Sequence, residues 1–409
     1  MIDSLKYPKS VEGINYLDGL PIIVEISDGK IVSTKRLNYI SEENRHNFIA
    51  PGLVDIQING FNSISFSLEG AENTLSGKGE LSIGDVKKVT EDLWKEGVTT
   101  FFPTLTTNSQ NLFLKNIGII SSAMKEPSLL GSIPGFHLEG PYISAIDGYR
   151  GAHPLEYVRK PDWNEFLELY KVSEGKILLV TVAPEIEGAF DFIRKCSEKG
   201  IVVSLGHHNG SAAIIREAVE HGATLSTHLG NGCANIVNRH NNPIWPQLAD
   251  DRLMISIIAD GFHLPPEVLQ VFYKVKGADN IIITSDVTSY AGLPAGEYRI
   301  KNGETILKTA DGNLKFSGQE GGLYGSASPL TKSVGHMMKV TGCTLAKAIQ
   351  MASLNPARLH NLTGLGRLEP GGRADIILFT MDNFNMEIRK TIVKGRLVFE
   401  SNTINSSIK

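Results

Sequence analysis

From Leu53 to about Thr284 the chain alternates short apolar runs with stretches of helical spacing, and most runs end against a polar residue. Leu53–Ile58 is the first strand candidate, residues 83–96 carry apolar positions at helical spacing, and residues 99–102 return to strand. Residues 133–136 lead into His137 and Glu139, 177–183 into Glu185, and 201–205 into His207. Residues 223–227 lead into His228, 254–259 into Asp260, and 281–285 into Asp286. Eight strand candidates can be counted. Strands alternating with helices predict a parallel sheet with a helix in each crossover. Eight of them predict an α/β fold, a (β/α)8 TIM-like barrel, in which the carboxyl ends of the strands converge on the face where active sites are built.

The flanks have another pattern. Residues 21–26 are apolar, Asp28-Gly29-Lys30 is a hairpin signal, and residues 31–33 resume the strand. The tail mirrors this with residues 374–379, then 391–393, the turn Lys394-Gly395, and 397–399. Chain ends lie close together in many domains, so both ends are expected to build one small β-sandwich domain. Residues 1–50 and 366–409 are its two parts, and residues 51–365 are the barrel. Residues 62–82, rich in Ser and Gly, predict an extended loop, and 290–325 predict hairpin-like structure beside the barrel mouth. Helical spacing returns over 328–338 and 345–352.

Composition narrows the class. A length of 409 residues suits one large barrel with a smaller domain, and 41% hydrophobic with 21% charged residues is ordinary for a globular enzyme. A net charge of −4 without a basic block argues against nucleic acid or an anionic membrane as partner. No apolar run approaches the roughly 18–20 residues of a membrane span, and the first residues lack a signal-peptide pattern. Cys196, Cys233 and Cys343 are odd in number and widely spaced, which fits a reducing compartment. A cytoplasmic protein is expected.

The strand-end residues carry the chemistry. His207 and His228 follow separate strands, and a metal needs ligands from separate elements aimed at one point. Imidazole nitrogens with a carboxylate such as Glu139 make a three-ligand open site for zinc or another divalent metal. Any one of these histidines, taken singly, reads as a buried ring bonded to backbone. As a set at strand ends they read as a site.

The ordered segments Pro51-Gly52-Leu53-Val54-Asp55, Gly135-Phe136-His137-Leu138-Glu139-Gly140-Pro141, Val182-Ala183-Pro184-Glu185, Gly206-His207, Thr227-His228-Leu229, Ala259-Asp260-Gly261-Phe262-His263 and Ser285-Asp286 resemble the amidohydrolase superfamily. Within it they are similar to the N-acetylglucosamine-6-phosphate deacetylase family. Gly325-Ser326-Ala327, Ala352-Ser353-Leu354-Asn355-Pro356-Ala357-Arg358 and Gly371-Gly372-Arg373-Ala374-Asp375 fit as well, so the resemblance covers essentially the whole chain.

The resemblance implies hydrolysis of the N-acetyl group of N-acetylglucosamine 6-phosphate, giving glucosamine 6-phosphate and acetate. It implies Glu139, His207 and His228 as metal ligands and Asp286 as the base that takes a proton from water and passes it to the leaving amine. His153 is implied to polarise the acetyl carbonyl. Asn231, Gly232, His263 and Gly140 are implied to contact substrate, with Arg239 reaching the phosphate from the neighbouring subunit of a homodimer or larger oligomer.

Two departures stand out. Many amidohydrolases carry His-x-His after the first strand to bind a second metal; here the positions read Gln57-Ile58-Asn59. An amide binds a cation more weakly than imidazole does, so one divalent ion per subunit is expected, zinc by its donor set, with Gln57 and Asn59 at most bonded to its water. The second departure is Asn231-Gly232-Cys233 and the stretch Asn238-Arg239-His240-Asn241-Asn242-Pro243, where typical members have Asn-Ala-Met and a His-Arg-x-Pro-Gly-like stretch.

Other residues have plainer readings. His208 is expected to point away from the metal, His137 could face the same interior as Glu139, and Glu185 could support the site from behind. Asp260 is expected to hold the His263 loop, while His46, His221, His336 and His360 are surface or packing residues. Two further functions fit the scaffold: hydrolysis of another N-acyl, cyclic-amide or deaminable substrate, or a barrel that has lost catalysis. The set Glu139, His207, His228 and Asp286 disfavours the second, because a scaffold has no physical need for it.

Overall fold

The computed structural model describes residues 7–67, 80–299, 304–317 and 322–401. Near the N-terminus β1 (Ser10–Asn15) pairs antiparallel with β2 (Pro21–Ser27), and β2 pairs with β3 (Lys30–Arg36). Asp28 and Gly29 turn that hairpin with φ of 50° and 75°, the doubly positive geometry that matches strand twist. Next, β4 (Phe48–Pro51) joins β1 in parallel and leads directly into the barrel.

The barrel strands are β5 (Leu53–Ile58), then, after a short ribbon of β6 (Gly60–Phe61) and β7 (Ile64–Ser65), β8 (Val98–Thr106), β9 (Phe136–Glu139) and β10 (Ile177–Val182). They continue with β11 (Val202–Leu205), β12 (Ala223–Ser226), β13 (Met254–Ile257) and β14 (Ile281–Ile283). All eight lie in one sheet in sequence order, each parallel to the next. Helices α1 (Ile83–Lys95), α2 (Gln110–Ala123), α3 (Trp163–Val172), α4 (Ala189–Glu198), α5 (Ala212–Glu220), α6 (Ile244–Ala249) and α7 (Pro266–Lys276) fill the crossovers. The first starts on a capping box: Asp85 N donates to Ser82 Oγ at 3.2 Å and Ser82 N to the Asp85 carboxylate at 2.9 Å.

The barrel closes between its first and last strands. Asn59 N donates to Val287 O at 2.9 Å just past both strand ends. Deeper in the seam a side chain replaces the ladder. The buried Asp55 carboxylate accepts from Thr284 Oγ1 at 2.6 Å and from Ser285 N at 3.2 Å.

Inside, the barrel is layered. Ile56, Phe102, Leu179, Leu225 and Ile282 form an apolar plug. Thr181 and Thr227, two residues beyond Leu179 and Leu225, belong to a polar layer in which His137 Nε2 lies 2.8 Å from Thr181 Oγ1 and Thr227 Oγ1 lies 2.8 Å from Thr181 Oγ1 and 2.6 Å from Ser204 Oγ. The catalytic candidates stand on that layer.

After β14, strands β15 (Gly296–Arg299), β16 (Thr305–Lys308) and β17 (Leu314–Phe316) make the hairpin-like insertion, a three-stranded antiparallel sheet. Residues 300–303 and 318–321 of it lie outside the described residues, as do 68–79 of the expected loop. α8 (Leu330–Thr341) follows, and the second helical stretch continues past its expected end to Leu359 through a π turn over Gln350–Leu354. Asn355 accounts for that extension, since its side chain is tied to the carbonyls of Ala278 and Ile281 at 2.7 and 2.6 Å.

The tail supplies β18 (Ile376–Asp382), β19 (Asn385–Val393) and β20 (Arg396–Glu400). They join the N-terminal strands in one seven-stranded sheet, ordered β20-β19-β18-β4-β1-β2-β3. Both chain ends therefore build one domain. Its hydrogen bonding runs unbroken through all seven strands, and the sheet curls to enclose a core of Ile22, Val24, Ile26 and Ile31 with Ile376, Leu378 and Ile392. Ala374 N, donating to Gly29 O at 2.9 Å, ties the curl together. Among the described residues no helix is long and apolar enough to cross a membrane.

Candidate metal-dependent active site

Glu139, His207 and His228 are buried, and their ligand atoms all lie within 4.8 Å of one another. Glu139 Oε1 is 3.2 Å from His207 Nε2 and 2.9 Å from His228 Nε2, and the two Nε2 atoms are 3.2 Å apart. Glu139 is itself the last residue of β9 rather than a residue past it. Pro134 and Gly135 interrupt the apolar run, so the strand begins only at Phe136. His207 and His228 each stand two residues beyond their strands, with φ of 51° and 30°.

The tautomer of His207 bears on what the cluster could hold. Its Nδ1 lies 3.1 Å from the carbonyl of Tyr149, which can only accept, so Nδ1 carries the ring proton. In the neutral ring Nε2 is then a bare lone pair facing a carboxylate oxygen. Two acceptors would then face each other at hydrogen-bond distance, an arrangement that a divalent cation between them satisfies. The spacings of 2.9–3.2 Å approach the edge of about 3.3 Å that tetrahedral zinc bonds near 2.05 Å would give. The set fits a divalent metal, and the Tyr149 carbonyl supports it as an outer partner of a ligating imidazole does.

The electrostatics agree. Burial alone would raise the Glu139 carboxyl, yet the bonds and charge of His207 and His228 hold it well below the usual carboxylate range. His228 is raised by Glu139 against the effect of its burial. The half-buried Asp286 is pushed up to about 7, first by desolvation of its carboxyl and then by the charge of Glu139. It follows β14 with φ of 53°. Burial and the neighbouring His207 drop His153 to about 3, which keeps its ring neutral.

The amides at the missing His-x-His positions have protein partners. Gln57 Nε2 donates to Glu139 Oε1 at 2.9 Å, and Asn59 Nδ2 donates to Asp286 Oδ1 at 2.7 Å. They orient the carboxylates of Glu139 and Asp286. Among the described residues Glu139, His207 and His228 are the one group able to hold a metal.

The remaining candidates surround this centre. His153 packs its ring edge-on against His207, with centroids 4.4 Å apart. Gly232 passes so close that a Cβ there would lie 2.9 Å from His207 Nδ1 and 3.1 Å from His228 Cε1. The side-chain nitrogen of Asn231 is buried and, like His228 Nδ1, has no partner among the described residues. Orphaned buried groups are rare and call for a ligand or water. His263 Nδ1 is 2.9 Å from Asp260 Oδ2, while Asp260 Oδ1 accepts from Phe262 N and His263 N at 2.9 and 3.1 Å. Asp260 thus holds the His263 loop as expected. Burial would raise its carboxyl, but the bonds from His263 keep it low. Arg239 lies exposed in the loop after β12, where only its carbonyl is bonded, accepting from Trp245 Nε1 at 3.0 Å. The structure does not bring its guanidinium to the centre of its own chain.

His137 lies in the polar layer, its ring between Thr104 Oγ1 at 3.4 Å and Thr181 Oγ1 at 2.8 Å. His208 is buried, and its Nδ1 accepts from Gly210 N at 3.1 Å, away from the metal ligands. Glu185 accepts from Asn209 N at 2.6 Å. Sequence reasoning missed the Tyr149 carbonyl, the hydroxyl of Ser256 that accepts from His228 N at 2.7 Å, and Thr107, whose hydroxyl meets His153. A carbonyl has no residue signature, and hydroxyls in a strand look like packing.

Known proteins resemble this chain over most of its length. The model of the Amidohydrolase family matches residues 48–398. The N-acetylglucosamine-6-phosphate deacetylase of Danio rerio is 31% identical over 392 residues, covering 91% of this chain and 92% of its own. The N-acetylgalactosamine-6-phosphate deacetylase of Escherichia coli O157:H7 is 28% identical and covers 91% of this chain and 94% of its own. Among solved structures, N-acetylglucosamine-6-phosphate deacetylase from Thermotoga maritima superposes with a TM-score of 0.81 at 28% identity, covering 96% of this chain and 100% of that one.

Proposed function

The chain belongs to the amidohydrolase family, and from that premise we propose that it hydrolyses the N-acetyl group of N-acetylglucosamine 6-phosphate to glucosamine 6-phosphate and acetate. The observation that carries the reading is the Glu139, His207 and His228 cluster, with the half-buried Asp286 just past the last strand of the same barrel. Amide hydrolysis needs an activated water, a stabilised oxyanion and a proton for a poor amine leaving group.

When bound, a divalent ion supplies Lewis acidity, letting water act as a nucleophile near neutral pH. Two imidazoles and one carboxylate favour zinc, one ion per subunit. Asp286 takes the proton of the attacking water and returns it to the leaving nitrogen. A carboxyl lifted to about 7 by burial, before any cation's charge is counted, suits a group that must both accept and give a proton. His153 donates to the acetyl oxygen, Asn231 and Gly232 face the sugar, and His263 meets the phosphate. Arg239 reaches the phosphate of the neighbouring subunit in a homodimer. Its exposure and the lack of any hydrogen-bond or ion-pair partner for its guanidinium among the described residues support that role. Free cysteines at 196, 233 and 343 fit a cytoplasmic enzyme.

The E. coli relative, named for the galactose epimer, favours a second sugar at the same site. Acetate release measured on N-acetylglucosamine 6-phosphate, N-acetylgalactosamine 6-phosphate and unphosphorylated N-acetylglucosamine separates these readings. The first is expected to be turned over best and the third poorly. Preference for the galactose epimer would move the substrate assignment, and no acetate from any of the three would remove it.

A further inference from the structure

We infer that Thr107 is a positioning residue for the reaction: its hydroxyl donates to Nδ1 of His153, which fixes the ring proton on Nε2, facing the acetyl oxygen. The inference rests on the role of His153 proposed above and deepens it.

Thr107 follows directly on β8 and is buried, with Oγ1 2.8 Å from His153 Nδ1. A neutral imidazole has one donor and one acceptor, so whichever nitrogen accepts leaves the other to donate. Among the described residues His153 Nε2 has no hydrogen-bond partner, which leaves it for a ligand. The ring has little freedom to turn away. One edge packs on His207 at 66° between planes, and the His153 carbonyl accepts from Arg150 Nη1 at 2.6 Å.

A second observation comes from Gly140, beside the ligand Glu139. Its φ is +87°, and a Cβ there would lie 2.2 Å from Thr107 Oγ1. Any side chain would push the hydroxyl off the ring. Sequence alone makes Gly140 a substrate contact; the geometry makes it the gap through which threonine reaches histidine.

Four variants test this. Thr107→Val keeps the shape and removes the donor, and it should lower kcat on N-acetylglucosamine 6-phosphate on the order of 10–100-fold, short of losing an oxyanion donor outright. KM should stay within about threefold and metal content should not change, while Thr107→Ser should restore turnover. Imidazole ¹⁵N spectra should show His153 protonated at Nε2 in the wild type and in Thr107→Ser, and a mixture of tautomers in Thr107→Val. In a His153→Gln background, Thr107→Val should cost nothing further, since coupled residues are non-additive. Wild-type kcat in Thr107→Val beside a crippled His153→Gln would overturn this inference alone. Wild-type kcat in His153→Gln would overturn it together with the role of His153. Equal losses from Thr107→Val in both backgrounds would make Thr107 merely structural and overturn it too.

Discussion

Asn59 gives its side-chain amide to the carboxylate of Asp286 at 2.7 Å, across the seam between the first and last barrel strands. The amide stands where many amidohydrolases place an imidazole for a second metal. With Gln57 committed to Glu139 in the same way, both positions are occupied by work inside the protein.

One equivalent of divalent metal per chain is therefore expected after exhaustive dialysis, measured by elemental analysis. His207→Ala should lose it, since a three-ligand site cannot spare an imidazole. A second equivalent that resists dialysis would show that the amides do not exclude another ion.

Asp286→Asn should keep metal content and fold, because Asp286 lies outside the ligand cluster. Loss of a general base costs on the order of 10²–10⁴ in rate, and a group acting twice in one turnover belongs toward the upper end. A kcat within a few-fold of wild type would rule Asp286 out as the base.

Arg239→Ala should raise KM for the phosphorylated sugar about 10–100-fold, the equivalent of a charge-assisted contact of roughly 1.5–3 kcal/mol. Activity on the unphosphorylated sugar should barely change. Mixing Arg239→Ala chains with Asp286→Asn chains should regain activity, as one site would have both groups. Equal effects on both substrates would remove the phosphate role, and no recovery despite subunit exchange would place the arginine in its own site.

Asp55→Ala strips an acceptor from Thr284 Oγ1, Ser285 N and Gln57 N. Buried donors left unpaired cost about 1–3 kcal/mol each, partly offset by no longer burying a carboxylate, so a net loss of roughly 2–4 kcal/mol in urea unfolding is expected. The pH dependence has a definite sign. Desolvation raises the folded carboxyl above its unfolded value of about 3.9, so stability from Asp55 is fullest below that value and declines as pH rises. The gap between wild type and Asp55→Ala should be wider at about pH 5 than at about pH 8. A gap that widens with pH would mean that the carboxylate is stabilised as a charge in the seam.

Much of this architecture was legible because barrel strands buried on both faces read as continuous apolar runs, and polar residues at their ends break the pattern visibly. That is how Glu139, His207, His228 and Asp286 could be grouped before any geometry. The turns at Asp28-Gly29 and Lys394-Gly395 likewise announce the terminal hairpins. The seam at Asp55 was not legible: an acid inside an apolar run gives no hint that it bonds to residues 229 and 230 positions away. Nor was Thr107, since one hydroxyl just past the threonines of β8 is singled out only by where His153 comes to rest. That both ends build one β domain was expected from their mirrored hairpins, while the pairing of β18 with β4 that joins them carries no residue signature.

His207, His228 and Asp286 all hold φ between 30° and 53°, a backbone region that suits glycine and strains most side chains by about 1–3 kcal/mol per residue. Glycine at any of the three would relax the main chain and erase a ligand or the proposed base. The chain thus places its proposed ligands and base on torsions that the main chain alone would avoid.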